Sequence, residues 1–518
     1  MAWTRLVRAL YGLKQSPCAS KQKLTRILSK LGFTALQADP SAYIRRDSGK
    51  ITCILLVYVD DILIFTPDMG IATQFKSDLS RLVDIKDLKQ CKQVLGMQVQ
   101  QDDTGIHLSQ SPAILQLLQS MDMDNCRPAA VPITPAHVQN SSKSGGDKQH
   151  CNGLDSNSKN QKQREYAGGA TAGQAKKHNI TADSSEHPAK KHRLHSSRQD
   201  TAADLHAASS VHISMHQQKT WGANRTMSTA AKKMSAVSHT PSTASQKSSA
   251  ISQKKSTAPQ LSLATPKSVL TTVDNAKKVY AVQEPLPEQT VKQFQSAVGS
   301  LLYISTCTRP DISYAVSVLC RSMHSPGQQD MQRLRYLLRY LKGTAHRKLT
   351  VGTTKEELQG YSDASYADDL YTRRSTGGYV FSFKGGCISW RSSLQKTVAL
   401  STAEAEYMAL SSAAQEGLFL QQLLEELELV KDRKKLQLFT DNQAAKAIAE
   451  QPSPSARSKH IAVRWHFLRQ HVDAGSLHLQ YVPTDKQLAD ILTKPLLPTE
   501  FCSAADQVLG GPASTHTQ

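Results

Sequence analysis

Four acidic residues in the last third of the chain stand where strand patterns end or helix patterns begin. Asp363 follows a short strand pattern, Glu406 lies in the first turn of a long helix, Asp441 closes LQLFTD, and Asp490 lies in QLADILTK, read as a final helix. If the first and fourth strands of one sheet are neighbours, Asp363 and Asp441 lie side by side. Helices crossing that sheet would then deliver Glu406 and Asp490. Converging carboxylates repel one another unless cations join them, and hard oxygen ligands suit magnesium. Two such ions about 3.5–4 Å apart activate a water and stabilise the leaving oxygen in phosphodiester hydrolysis.

A second acidic pair, Asp60 and Asp61, interrupts the apolar runs CILLV and ILIF. Adjacent carboxylates in a buried hairpin are costly without cations. An ordinary acidic turn would want Gly or Asn beside the acids, and Val59 and Ile62 stand there instead.

These acids need elements to hold them. In residues 1–135, Leu24, Ile27, Leu28 and Leu31 have helical spacing, ITCILLVYVDDILIF reads as two strands around a turn, and FKSDLSRLVDI is helical. VLGMQVQQDDTGIHLSQ reads as a hairpin turning at Asp103–Gly105, and SPAILQLLQSM as an amphipathic helix. Residues 286–350 give helical patterns broken at Thr308–Pro310, then a basic amphipathic helix ending near Gly343. Residues 351–501 read as βββαβαβα, a mixed sheet with a first antiparallel meander and later crossovers. Residues 502–518 read as a disordered tail. The fold class expected is α/β (α+β).

Residues 136–285 have another character. Between Ser141 and Thr290 there are 21 Lys+Arg against 10 Asp+Glu, and the aromatics are Tyr166, Trp221 and Tyr280. Such a segment buries too little apolar area to offset its ordering entropy and is expected to be disordered. Its histidines are scattered without paired ligand spacing. It reads as a basic tether touching phosphates, or as a solvated linker.

The whole chain of 518 residues carries a formal charge of +20 with 39% hydrophobic residues, which points to a polyanionic partner. Nine cysteines, an odd number without CxxC spacing, argue against zinc and disulfide frameworks and for a reducing compartment. The N-terminal MAWTRLVRALYGLKQSP does not read as a signal peptide, and no run is long and apolar enough for a membrane span.

GYSDASYADD (360–369), RRSTGGYVF (373–381), CISWRS (387–392), STAEAEYMAL (401–410), FTDNQAA (439–445), KHIAVRWHFLR (459–469) and VPTDKQLADILTKPL (482–496) together resemble the ribonuclease H domain of copia-type LTR retrotransposon Pol polyproteins. Tyr58-Val59-Asp60-Asp61, with ALYGLKQSP (9–17), LGMQV (95–99) and IHLSQ (106–110), resembles the palm of the same family's reverse transcriptase. The resemblance implies Asp363, Glu406, Asp441 and Asp490 as ligands of two Mg2+ or Mn2+ ions. Glu404 is the rival to Glu406, which alone precedes the Tyr-Met-Ala stretch. It also implies Asp60 as a polymerase metal ligand, Asp61 as its support and Tyr58 near the primer end. Arg373 and Arg374 either contact phosphate or are surface charges. His460 and Arg464 share a helix face that either grips hybrid backbone or packs, and Trp390 and Trp465 read as core.

The implied activity is hydrolysis of the RNA strand of RNA–DNA hybrids. The implied partners are that hybrid, an RNA template with a DNA primer, and a second copy or element-encoded proteins, in particles in the cytoplasm or in the nucleus. The family's palm carries a further metal-binding Asp before the YGLKQ stretch. Here Met1–Leu10 precede Tyr11 and contain no acid, so the polymerase is expected to be incomplete and inactive. CASKQKL departs from the family's aromatic-containing sequence, and about 150 residues replace a short join before FQSAVGSLLY. The alternative reading is a catalytically inactive nucleic-acid-binding remnant of a decayed element.

Overall fold

The computed structural model describes residues 16–139, 209–215, 286–430, 435–450 and 462–511. The first part runs α1 (Ser16–Lys30), β1 (Thr34–Ala35), β2 (Ala42–Asp47), β3 (Lys50–Tyr58), β4 (Asp61–Thr66), α2 (Met69–Ser80) and β5 (Ile85–Gln90). Cys53 and Leu55 on β3 and Ile62 and Ile64 on β4 face one core at every second position, while Ile54, between Cys53 and Leu55, is buried on the other face with Leu36, Ala42 and Ile44. Leu24 and Leu28 of α1 and Phe75 and Leu79 of α2 close that core.

β6 (Gln93–Val94), β7 (Met97–Asp102) and β8 (Gly105–Ser109) follow, then α3 (Ser111–Ser120) and α4 (Pro135–Gln139). The expected hairpin is present, with Asp102 opposite Gly105. β9 (Ser209–Met215) inserts between β4 and β5, giving the sheet order β1-β2-β3-β4-β9-β5. The expectation of disorder for 136–285 otherwise lies outside the described residues; α4 and β9 are the ordered pieces described within it. SSVHISM carries β-branched and apolar residues in alternation, which suits a strand inside a polar tract.

α5 (Glu288–Cys307), a 3-10 turn at Pro310–Ile312, α6 (Ser313–Arg321) and α7 (Gln328–Thr344) form the helical connection. At the predicted break Arg309 is fully buried. Its guanidinium donates to both oxygens of Asp311 at 2.9 and 2.7 Å and to the Thr344 carbonyl at 2.9 Å, while Tyr340 Oη donates to Asp311 at 2.7 Å. These helices share one core with Ile114 and Leu118 of α3 and with Val380, Ile491 and Leu492 further on. β10 (Leu349–Val351) pairs antiparallel with β8, so the two halves of the chain share a sheet.

β11 (Gln359–Ser365), β12 (Thr376–Phe383), β13 (Gly386–Leu394), α8 (Thr402–Glu426), β14 (Leu436–Thr440), α9 (Gln443–Glu450), α10 (Ala462–Asp473) and β15 (Leu477–Tyr481) follow. The sheet order is β13-β12-β11-β14-β15. β11, β12 and β13 are antiparallel, and β14 and β15 run parallel to β11. The protein is therefore α/β, with a five-stranded mixed sheet whose first three strands form the expected antiparallel meander. Gly417 lets α8 lie against that sheet, since a Cβ there would meet Leu436 Cδ2 at 2.5 Å and Phe381 Cε1 at 2.7 Å.

Two expectations need correction at the C-terminal end. Asp490 lies in a 3-10 turn, Leu488–Leu492, and not in a final α-helix. Pro495 closes that run, since the residue before a proline is pushed away from helical backbone. The last helix is α11 (Pro498–Val508), which crosses the expected boundary at 501. Phe501, Ala505 and Val508 form a buried stripe at helical spacing, and Phe501 meets Tyr340 edge-on at 5.5 Å.

Candidate metal centre

β11 and β14 are parallel neighbours with Tyr361 in register with Phe439, and the two rings stack at 5.0 Å. Two residues after each ring come Asp363, within β11, and Asp441, one position past the end of β14. Thr493 Oγ1 donates to Asp363 Oδ2, and Thr484 Oγ1 donates to Asp441 Oδ2 at 3.0 Å.

The start of α8 gives Glu404 and Glu406 different surroundings. Ser401 is the N-cap and accepts from the Glu404 N–H at 3.2 Å, while the Glu404 carboxylate accepts from the Leu400 N–H at 2.7 Å. Glu404 is thus occupied at the helix start, its carboxylate taken by the backbone N–H just before the N-cap. Glu406 is 6% exposed, and its Oε2 is buried with no hydrogen-bond partner. One oxygen each of Asp363, Glu406 and Asp441 lies within 4.8 Å of the others, the one cluster of three or more His, Cys, Asp or Glu with that closeness among the described residues.

Asp490 reaches the site with a partner that sequence reasoning missed. Lys494 Nζ lies 3.0 Å from Asp490 Oδ1 and 3.9 Å from Asp363 Oδ2. The i, i+4 spacing of an acid and a lysine was the available signal.

Burial dominates the electrostatics. It raises the Asp363 carboxyl above the usual carboxylate range, against the pull of Lys494 and Thr493. Glu406 is pushed up to about 9 by burial and then by the charges of Asp363 and Asp441. Asp490 is pushed up to about 7 by burial and then by Asp363. Burial opposes the charge of Lys494, and Asp363 and Asp490 nonetheless hold its ammonium above its ordinary value. An all-oxygen set of crowded carboxylates with a buried unpaired oxygen fits a hard divalent cation, which would supply the missing positive charge.

The remaining expected residues fall elsewhere. Tyr58 and Asp61 pair across the hairpin end, leaving Val59 and Asp60 as its two-residue turn. Tyr58 is 54% exposed, and Val59 takes φ 55°, a strained conformation for a β-branched residue. No cluster of three or more potential metal ligands includes Asp60 or Asp61 among the described residues. Arg373, exposed at φ 53°, and half-buried Arg374 lie in the β11–β12 loop. That loop is pinned by Asp369, which accepts from Thr372 N at 2.8 Å, and by Arg321, which pairs with Asp368 at 3.2 Å and Asp369 at 3.4 Å. Arg464 is half-buried on α10, and His460 lies outside the described residues. Trp390 Nε1 donates to the Ser305 carbonyl at 2.8 Å and packs against the connection helices, a core role. Tyr303 of α5 donates to the Leu95 carbonyl and ties LGMQV to the same helices.

Residues 2–135 match the family described as reverse transcriptase (RNA-dependent DNA polymerase). Over 96% of its length the chain is 30% identical to the retrovirus-related Pol polyprotein from transposon TNT 1-94 of Nicotiana tabacum, covering 27% of that protein. Over 97% it is 28% identical to the Pol polyprotein from transposon RE1 of Arabidopsis thaliana, covering 25%. The chain thus spans about a quarter of the length of these relatives. A crystal structure of LC11-RNase H1 in complex with RNA/DNA hybrid aligns with 26% of this chain and 94% of its own, at 15% identity and a TM-score of 0.21. Similarity to retrotransposon Pol polyproteins thus runs along nearly the whole chain, and residues 2–135 within it match the reverse transcriptase family.

Proposed function

We propose that this chain hydrolyses the RNA strand of RNA–DNA hybrids at Asp363, Glu406, Asp441 and Asp490, with Mg2+ or Mn2+ bound. The observation that carries this reading is the approach of Asp363, Glu406 and Asp441 oxygens to within 4.8 Å of one another, one of them belonging to a residue with a buried, unpaired Oε2. Bound divalent ions, two in number on this reading, supply an activated water and charge stabilisation at the leaving oxygen. The chain's own residues hold them: Asp363 and Asp441 from adjacent strands, Glu406 from α8, and Asp490 as the fourth ligand. Thr493 and Thr484 orient two of these carboxylates by donating to them. Arg373 and Arg374, in the loop that leaves β11, are suited to phosphate contacts. The excess of basic charge suits a polyanionic substrate.

The Tyr58–Asp61 turn supports a second reading for this half, binding of an RNA template with a DNA primer near the exposed Tyr58. The test is a labelled hybrid offered to the full chain beside double-stranded RNA and double-stranded DNA of the same sequence. Cleavage confined to the RNA strand of the hybrid, and abolished by a chelator, is the expected result. Absence of cleavage with either metal would favour a nucleic-acid-binding remnant.

A further inference from the structure

The four carboxylates do not form one uniform site. Asp363, Glu406 and Asp441 stand together, and the one ammonium ion-paired to the four among the described residues, Lys494, lies on the Asp490 side, at 3.0 Å from Asp490 and 3.9 Å from Asp363. Lys494 is held there by its backbone. Its N–H donates to the Asp490 carbonyl at 3.2 Å, the N–H of the fully buried Thr493 donates to the same carbonyl at 3.1 Å, and the Thr493 hydroxyl is spent on Asp363. Pro495 follows directly and restricts the backbone further.

We propose that Lys494 is a built-in cation filling the Asp490 side of the acidic site, so that the chain without nucleic acid takes up one divalent ion, at Asp363, Glu406 and Asp441, and a second only when Lys494 withdraws. This rests on the metal-site reading above and divides it into two unequal halves. An ammonium between Asp363 and Asp490 both neutralises the charge that would attract a second ion and repels that ion directly. The side chain is 35% exposed, and its four-carbon stem is flexible enough to swing its charge toward an arriving phosphate. Lys494 is thereby a positioning residue that couples loading of the second ion to the presence of substrate.

The experiment counts Mn2+ bound to the full chain by electron paramagnetic resonance of the free ion, with Asp363→Asn as the baseline for incidental surface binding. The parent is expected to bind one ion above that baseline, Lys494→Arg one, and Lys494→Gln two. In Lys494→Gln the second ion should bind at least about tenfold more tightly than in the parent, the scale on which groups around a metal site tune its affinity. Two ions in the parent, or one in a folded Lys494→Gln, would overturn the proposal. Should Lys494→Gln not fold, Asp490→Asn decides: the first ion's affinity should stay within about twofold, and a loss beyond about tenfold would show Asp490 inside the first half and overturn it. No ion bound by the parent would remove the metal-site reading itself, an outcome distinct from a two-ion parent.

Discussion

Asp363 and Asp441 stand side by side because Tyr361 and Phe439 are partners in a parallel ladder, and each acid follows its ring by two residues. The sheet register therefore fixes the spacing of the two charges. Their mutual repulsion is a cost that the fold carries until a cation arrives.

Removing that cost should be measurable. In chelator, Asp363→Asn should unfold at the same temperature as the parent or higher, since a buried charge in a crowd of like charges is deleted. With Mn2+ at about 100 times its dissociation constant the parent should gain roughly 2.7 kcal/mol, whereas Asp363→Asn should gain nothing. Thermal unfolding followed by circular dichroism with and without Mn2+ checks both.

Glu404 and Glu406 should separate cleanly. Glu404→Ala removes a helix cap and should cost about 1 kcal/mol of stability while Mn2+ still raises the unfolding temperature. Glu406→Gln should abolish the Mn2+ effect and leave the metal-free chain no less stable. The same unfolding measurement distinguishes them, and the opposite pattern would exchange their roles.

Much of this was legible beforehand. Asp363 and Asp441 could be placed because short strand patterns end on them, and the order of strands and helices followed from the change between two-residue and helical periodicity. The choice of Glu406 over Glu404 rested on the family motif alone, since two acids two apart on a helix differ only in what the cap occupies. Lys494 carried only a spacing signal, common on any helix surface. The buried stripe of Phe501, Ala505 and Val508 was visible but lay after a proline, where a tail was expected. The pairing of β8 with β10 joins residues more than 200 positions apart, and nothing local encodes it.

The Arg309–Asp311 pair should dominate the acid stability of the connection helices. Burial alone would raise the Asp311 carboxyl, but Arg309 and Tyr340 overcome it and hold it below the usual carboxylate range. A carboxyl lowered on folding stabilises the native state above its unfolded value, about 3.9, and that contribution is lost as pH falls through the folded value. Asp311→Asn should therefore cost about 3–5 kcal/mol near pH 7, because Arg309 is left buried without its counter-charge. The difference from the parent should shrink in urea titrations repeated below pH 4. A constant difference across that range would mean that the pair contributes no charge-dependent stability.

An acidic cluster that works as a hydrolytic metal site must show it on a hybrid substrate. Single-turnover cleavage of a labelled RNA–DNA hybrid by the full chain in Mg2+ tests it most directly, comparing the parent with Asp441→Asn and Glu404→Gln. RNA-strand cleavage by the parent, largely retained in Glu404→Gln, is the expected result. Asp441→Asn should be slower by at least about 1,000-fold, the equivalent of roughly 4 kcal/mol of barrier. Asp441→Asn cleaving as fast as the parent, with Mn2+ binding unchanged, would contradict it.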